Sequence, residues 1–191
     1  MVSGSNFPIG TTTNTFVVTD ASGNKDTCSF DVVVTDNEKP TITCVTNKTR
    51  NVNTGVCTYT TVGTEFDPTA FGDNCSGSTI TNNLNSSSSL AGYVFNKGTT
   101  TVTWTATDAS NNTKTCSYTV TVNDNQNPTI ACVGNQTRSM TTGKCQYDVV
   151  GNEFDPTSWA DNCAGATIKN DYNNKNTLAG DFFISGTTIV R

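Results

Sequence analysis

One unit of sequence is written repeatedly along this chain, with no gap between copies. Cys44 recurs at Cys132, Cys57 at Cys145, Cys75 at Cys163 and Cys28 at Cys116, each 88 residues on. The surrounding words recur with them. KPTITC at 39–44 becomes NPTIAC at 127–132, TEFDPTAFGDNC becomes NEFDPTSWADNC, and TDASGNKDTCSF becomes TDASNNTKTCSY. A fixed period of this length marks one folding unit used in series. Residues 1–36 read as the back of one repeat, residues 37–124 as a whole repeat, and residues 125–191 as the front of a third.

Inside the unit the hydrophobic period is two. Cys116, Tyr118, Val120 and Val122 alternate with Ser117, Thr119 and Thr121. Cys28, Phe30, Val32 and Val34 repeat the pattern one unit earlier, and Val102, Trp104 and Ala106 alternate with threonines. Side chains alternate across a strand, so these segments predict half-buried strands with one wet, threonine-rich face. Asn53-Thr54-Gly55, Asn96-Lys97-Gly98 and Asp108-Ala109-Ser110 are turn signals between them. The polar stretch 82–89 reads as an exposed loop. No segment has the spacing of an amphipathic helix. Short strands separated by turns in a unit of this size predict an all-β fold of tandem immunoglobulin-like β-sandwich repeats.

Only 34% of the residues are hydrophobic, so each core is thin and needs covalent help. Eight cysteines supply it. None forms a C-x-x-C pair and the chain has no histidine, which removes most zinc ligand sets. Disulfides are the plain reading, and they imply an oxidising, extracellular compartment. The net charge of −5 and the lack of any Lys/Arg cluster argue against a nucleic-acid partner. No apolar run is long enough to cross a membrane. Residues 1–10 lack the features of a signal peptide, which suits a window on a longer secreted array.

The words PTITC, GVC, DNC and GTTTVTWTATDASNNTKTCSYTVTV, in that order, resemble the HYR (hyalin repeat) domain. The N-terminal FPIGTTTNTFVVTDASGNKDTCSFDVVV is a still closer match. The resemblance covers essentially the whole chain. It implies an immunoglobulin-like extracellular module linked to adhesion, such as those arrayed in large bacterial surface adhesins. The EFDP segment before DNC is more acidic than the family pattern leads one to expect.

Four cysteines per repeat allow three pairings. In an immunoglobulin-like topology the loop holding Cys75 and the strand holding Cys116 meet at one end. That favours Cys75–Cys116, with Cys44–Cys57 and Cys132–Cys145 closing the first hairpins. All four cysteines of a repeat fall on positions expected to face the core. A redox role is disfavoured, since no histidine is present to lower a thiol pKa.

The linkers carry oxygen ligands: Asp36 and Glu38 at the first junction, Asp124 at the second. In a sandwich, Asp73 and Asp108 should lie at the same end as the first linker, and Asp161 beside the second. These six acids are candidate calcium ligands, with Glu65, Asp67 and Asp155 as a second tier, because calcium takes six to eight oxygens. The second junction is poorer, as Gln126 replaces Glu38. The bland alternative is that Asp and Asn simply cap turns. Phe71 and Trp159, at one repeat position, read as plugs over the sandwich end.

No catalytic constellation is visible, so an enzyme is not expected. The expected function is a structural or adhesive stalk or filament. Alternatives are a spacer or accessory module of a secreted enzyme, or a module that binds a glycan or protein. Expected partners are neighbouring repeats of the same array, or other copies joined head to tail. In the second case the two half-repeats would complete each other.

Overall fold

The computed structural model describes residues 4–191. Among the described residues there are fourteen strands and no helix. In chain order they are β1 (Gly10–Thr19), β2 (Lys25–Val34), β3 (Thr41–Thr43), β4 (Lys48–Asn51), β5 (Thr58–Thr60), β6 (Ala70–Gly72) and β7 (Thr79–Asn82), followed by β8 (Val94–Asn96), β9 (Gly98–Thr107), β10 (Thr113–Asn123), β11 (Thr129–Ala131), β12 (Gln146–Asp148), β13 (Ser158–Ala160) and β14 (Phe182–Ile184). The fold is all-β and disulfide-bonded, of the immunoglobulin-like sandwich kind.

The residues gather into two compact units. The first comprises Met1–Asn47, Thr61–Gly92 and Thr101–Thr119; the second comprises Lys48–Thr60, Tyr93–Thr100 and Val120–Arg191. In the first unit, β7 pairs antiparallel with β9, from Thr79 opposite Thr107 to Asn82 opposite Trp104. β3 pairs with β6, with Ile42 opposite Phe71. The predicted alternation decides the core. Val102, Trp104 and Ala106 of β9 are fully buried, together with Phe66 and Leu90, and Ile80 and Tyr118 are buried beside them. The Tyr118 hydroxyl donates to the Phe66 carbonyl, so the tyrosine buries its ring without orphaning its oxygen. On the wet face Thr103 and Ser117 exchange a hydroxyl bond at 2.9 Å.

In the second unit β10 pairs parallel with β4, from Val120 opposite Lys48 to Asn123 opposite Asn51. β5 pairs with β8 and β12 with β14, in the same register one repeat apart. Val52, Phe95, Val120 and Val122 are buried here, as are Val149 and Leu178.

The stretch 82–89 is more organised than an exposed loop. Asn82, only 4% exposed, accepts from the Leu84 and Asn85 amides through its side-chain oxygen. Asn170 does the same for Tyr172 and Asn173. The exposed polar residues are therefore wound around a buried amide.

β1 and β2 form a regular antiparallel hairpin, from Gly10 opposite Val34 to Thr19 opposite Lys25. Phe16 stands where Trp104 stands one unit later, yet it is 65% exposed while Trp104 is 0% exposed. Strands β3, β5, β6 and β8 recur as β11, β12, β13 and β14. β4 and β7 do not recur: residues 136–139 and 167–170 are not strands. The reason lies in the sheet order, β4-β10-β9-β7. β4 pairs only with β10 and β7 only with β9, and segment 125–191 contains neither partner strand.

Candidate functional site

The candidate site gathers the disulfides and the linker residues around positions 36–38 and 124–126. The expected cysteine pairs do not form. Cys44 is bonded to Cys116, not to Cys57, over a separation of 72 residues. Cys57 is bonded to Cys163 over a separation of 106 residues. Cys75, expected to meet Cys116, is unpaired, as are Cys28, Cys132 and Cys145. The reason is topological. Cys57 sits on the turn Asn53–Thr58 that leads into β5, and this turn faces forward to the DNC loop of the following repeat. The core-facing expectation fails for Cys28, Cys132 and Cys145, which are exposed, and holds for Cys163, which is 3% exposed.

Hydrogen bonds reinforce the bridge at the second junction. The Asn162 amide nitrogen donates to the Val56 carbonyl at 3.0 Å. Gln126, in the linker, grips the same turn twice. It accepts from the Gly55 amide at 2.8 Å and donates to the Asn53 carbonyl at 3.0 Å. Val52 donates its amide to the Asn123 carbonyl at 2.9 Å. The residue read as a weak stand-in for Glu38 is thus a clasp, a role its neutral amide suits because it both donates and accepts.

The candidate calcium ligands divide. At the first junction Asp36, Asp73 and Cys75 come together, their ligand atoms lying within 4.8 Å of one another. Asp36 accepts from the Glu38 amide at 3.0 Å, and Asp73 from the Cys75 amide at 3.0 Å. Glu38 itself is exposed. Burial pushes the Cys75 thiol above its ordinary pKa, and the Asp36 and Asp73 carboxylates add to the effect. Asp108 is held by its own turn: its carboxylate accepts from the Ser110 amide at 2.9 Å and the Asn112 amide at 2.8 Å. The Asn112 side chain then reaches the Asp36 carbonyl at 3.1 Å.

At the second junction Asp124 accepts from the Gln126 amide at 3.2 Å and lies 3.7 Å from the Lys97 ammonium. Asp161 accepts from the Cys163 amide at 3.1 Å. The second-tier acids sit elsewhere. Glu65 accepts from the Val62 amide at 3.2 Å. Asp67 clamps Ser89 and Leu90, and Asp155 clamps Thr177 and Leu178 in the same way. Phe71 and Trp159 are 44% and 45% exposed, so neither seals a sandwich end.

A disulfide-bonded, all-β fold of the immunoglobulin-like sandwich kind is the class these features define. A family model described as HYR domain matches residues 1–34 and 35–122. The chain belongs to the HYR domain family. It is 32% identical to hyalin of Strongylocentrotus purpuratus over 195 aligned residues, which cover 99% of this chain and 15% of hyalin. It is also 34% identical over 110 residues to the sushi, von Willebrand factor type A, EGF and pentraxin domain-containing protein 1 of Rattus norvegicus and of Mus musculus. That match covers 58% of this chain and 3% of those proteins. The chain therefore spans a small part of the length of these relatives.

Proposed function

We propose that this chain serves as a load-bearing stretch of an extracellular, adhesive array, a stalk or filament that spaces other parts of its protein from a surface. The observation that carries the reading is the Cys57–Cys163 bridge between successive repeats. A covalent tie across a junction limits how far pulling can extend the chain there. Disulfides also fit the oxidising surroundings of the cell exterior. No enzymatic role is proposed.

Single-molecule pulling tests it. The intact bridge conceals a separation of 106 residues from the pulling force. At about 3.5 Å per extended residue, reduction should lengthen the stretched chain by roughly 370 Å. Equal lengths before and after reduction would sink the load-bearing reading.

We also propose that any calcium held by this array sits at the first junction, on Asp36 and Asp73, where carboxylates of two loops meet. Two carboxylates fall short of six oxygens, so backbone carbonyls and water would complete the shell. A melting transition raised by calcium in the parent, and not in Asp36→Asn, supports this. Identical transitions in calcium and in chelator refute it.

A second reading, binding of a glycan or protein, rests on Phe71 and Trp159. Both are half exposed at the same repeat position. Saturable binding of a glycan by the parent, lost in Phe71→Ala with Trp159→Ala, would favour it.

A further inference from the structure

Loop closure alone would give Cys57 a nearby partner. Cys44 stands 13 positions before it, whereas Cys163 is separated from it by 106 residues. The entropy of closing the ring makes the short loop about twentyfold the easier to form. Cys57 is nevertheless bonded to Cys163. Something must bring the distant thiol to the turn before the bond closes.

The turn itself is ready-made. The Asn53 amide donates to the Thr58 carbonyl at 2.7 Å and the Val56 amide to the Asn53 carbonyl at 3.2 Å. The Asn53 side-chain oxygen accepts from the Thr60 amide at 2.7 Å. Gly55 takes a φ of 77°, which glycine adopts freely, and its amide serves an acceptor outside the turn. The same two backbone bonds close the turn at 141–146, so the turn is a property of its own residues.

Gln126 is the linker side chain that grips it. β10 ends at Asn123, whose carbonyl accepts from the Val52 amide, and β11 begins at Thr129. Between them Gln126 accepts from the Gly55 amide at 2.8 Å and donates to the Asn53 carbonyl at 3.0 Å. The other linker contact, Asp124 with Lys97 at 3.7 Å, involves a half-exposed lysine and contributes little. From Gln126 the path to Cys163 is stiff. Thr129 of β11 stands opposite Ala160 of β13, and its hydroxyl donates to the Ala160 carbonyl at 3.2 Å. Cys163 comes just after, its amide held by Asp161 at 3.1 Å, and its neighbour Asn162 donates to the Val56 carbonyl at 3.0 Å. Fixing Gln126 on the turn therefore brings Cys163 to Cys57.

We infer that Gln126 specifies the Cys57–Cys163 bridge: its two-bond dock on the turn at 53–58 forms while the thiols are still reduced and holds Cys163 beside Cys57. The dock needs an acceptor and a donor on one planar group, which an amide has and a carboxylate lacks. Glu38, at the same place in the preceding linker, can accept from a glycine amide but has no hydrogen to donate to the carbonyl beside it. The amide at position 126 thus selects the turn that this linker takes. When the bridge closes, one S–S bond forms between the Sγ atoms of Cys57 and Cys163. Two protons and two electrons pass to an oxidising disulfide such as oxidised glutathione, which becomes two thiols. The inference rests on the bridge and not on its mechanical role.

The test equilibrates the whole chain in glutathione buffers of graded redox ratio. Alkylation, digestion without reduction and mass spectrometry then quantify the Cys57–Cys163 and Cys44–Cys116 peptides. The midpoint of each gives the effective concentration of one thiol for the other. Gln126→Ala and Gln126→Glu, which lose both bonds or one, should each lower that of Cys57 and Cys163 at least about fivefold at neutral pH. Cys44–Cys116, which reports that the fold survives, should stay within about twofold. A residue that only stabilised the chain would act alike on the reduced and oxidised forms. An unmoved Cys57–Cys163 midpoint in both variants therefore overturns the inference. An equal fall at both bridges overturns it too, because Gln126 would then hold the fold and not the pair. A parent-like midpoint in Gln126→Glu overturns the selection of amide over carboxylate. The pulling experiment reads the length hidden by the closed bridge, so it can fail without moving any of these midpoints.

Discussion

Cys57, on the turn before β5, is bonded to Cys163, in the DNC loop of the next repeat, and their Cα atoms lie 4.8 Å apart. A bridge closing so long a loop restricts the unfolded chain severely. The chain-entropy argument gives about 4–5 kcal/mol for a loop of roughly a hundred residues, and measured bridges fall at about 2–5 kcal/mol. Replacing both cysteines, Cys57→Ser with Cys163→Ser, should therefore lower stability by about 2–5 kcal/mol, seen as a fall in the urea midpoint. Both must be replaced, because a single change leaves a reactive thiol buried at the junction. An unchanged midpoint would show that the unfolded chain is already restricted there.

Phe16 and Trp104 share a repeat position and should respond oppositely to truncation. Trp104 is fully buried, so Trp104→Ala removes its packing and leaves a cavity, at a cost of about 3–5 kcal/mol. Phe16 is 65% exposed, so Phe16→Ala in the isolated chain should stay within about 0.5 kcal/mol. Urea titration of the two variants checks the contrast. Equal costs would mean that Phe16 is packed as tightly as Trp104 in the folded chain.

The strands were legible because alternation is a local property. Val102, Trp104 and Ala106 point one way whatever the rest of the chain does, and the structure buries all three. The turn at Asp108 was legible for the same reason, since Asp108 bonds amides only two and four residues away. The bridges were not legible. Cysteine pairing depends on which loops meet in space, and the pairing rule assumed that a repeat completes its own disulfides. Cys57 breaks that rule by reaching Cys163. No signal in the residues around Cys57 distinguishes a turn facing its own repeat from one facing the next. The role of Gln126 is hidden in the sequence for a related reason. Beside Glu38 it reads as a missing carboxylate, yet its amide makes two bonds that a carboxylate cannot both make.

Glu153 should give part of the chain's stability a dependence on acid. Its carboxylate accepts from the Tyr147 hydroxyl at 2.6 Å and from the Val150 amide at 2.9 Å, with Arg138 at 3.2 Å. The tyrosine bond chiefly, then the amide and the guanidinium, holds the Glu153 carboxyl below its ordinary pKa. The same contact raises the Tyr147 hydroxyl. A carboxyl lowered on folding stabilises the fold above its unfolded value, and that stabilisation is lost as pH falls through the folded value. Urea midpoints measured from pH 7 downward should fall more steeply in the parent than in Glu153→Gln, with the gap closing below about pH 4. Parallel curves would show that Glu153 protonates without consequence.

Asp108 separates the turn reading of the acids from the metal reading. Its side chain is 5% exposed, and its oxygens accept from the Ser110 and Asn112 amides and from the Asn112 side chain at 2.9 Å. Asp108→Ala leaves those part-buried donors without their acceptor, which should cost about 1–3 kcal/mol. Asp108→Asn keeps an oxygen that can accept from both backbone amides, so most of the turn survives and the cost should be under about 1 kcal/mol. The charge matters little to the turn, whereas a calcium ligand would depend on it. The check is thermal melting of both variants with calcium and with chelator. A small, calcium-independent loss in Asp108→Asn beside a large one in Asp108→Ala fits a residue that serves its turn. If Asp108→Asn were instead as damaging as Asp108→Ala, and only in calcium, the carboxylate would be a ligand and the turn bonds incidental.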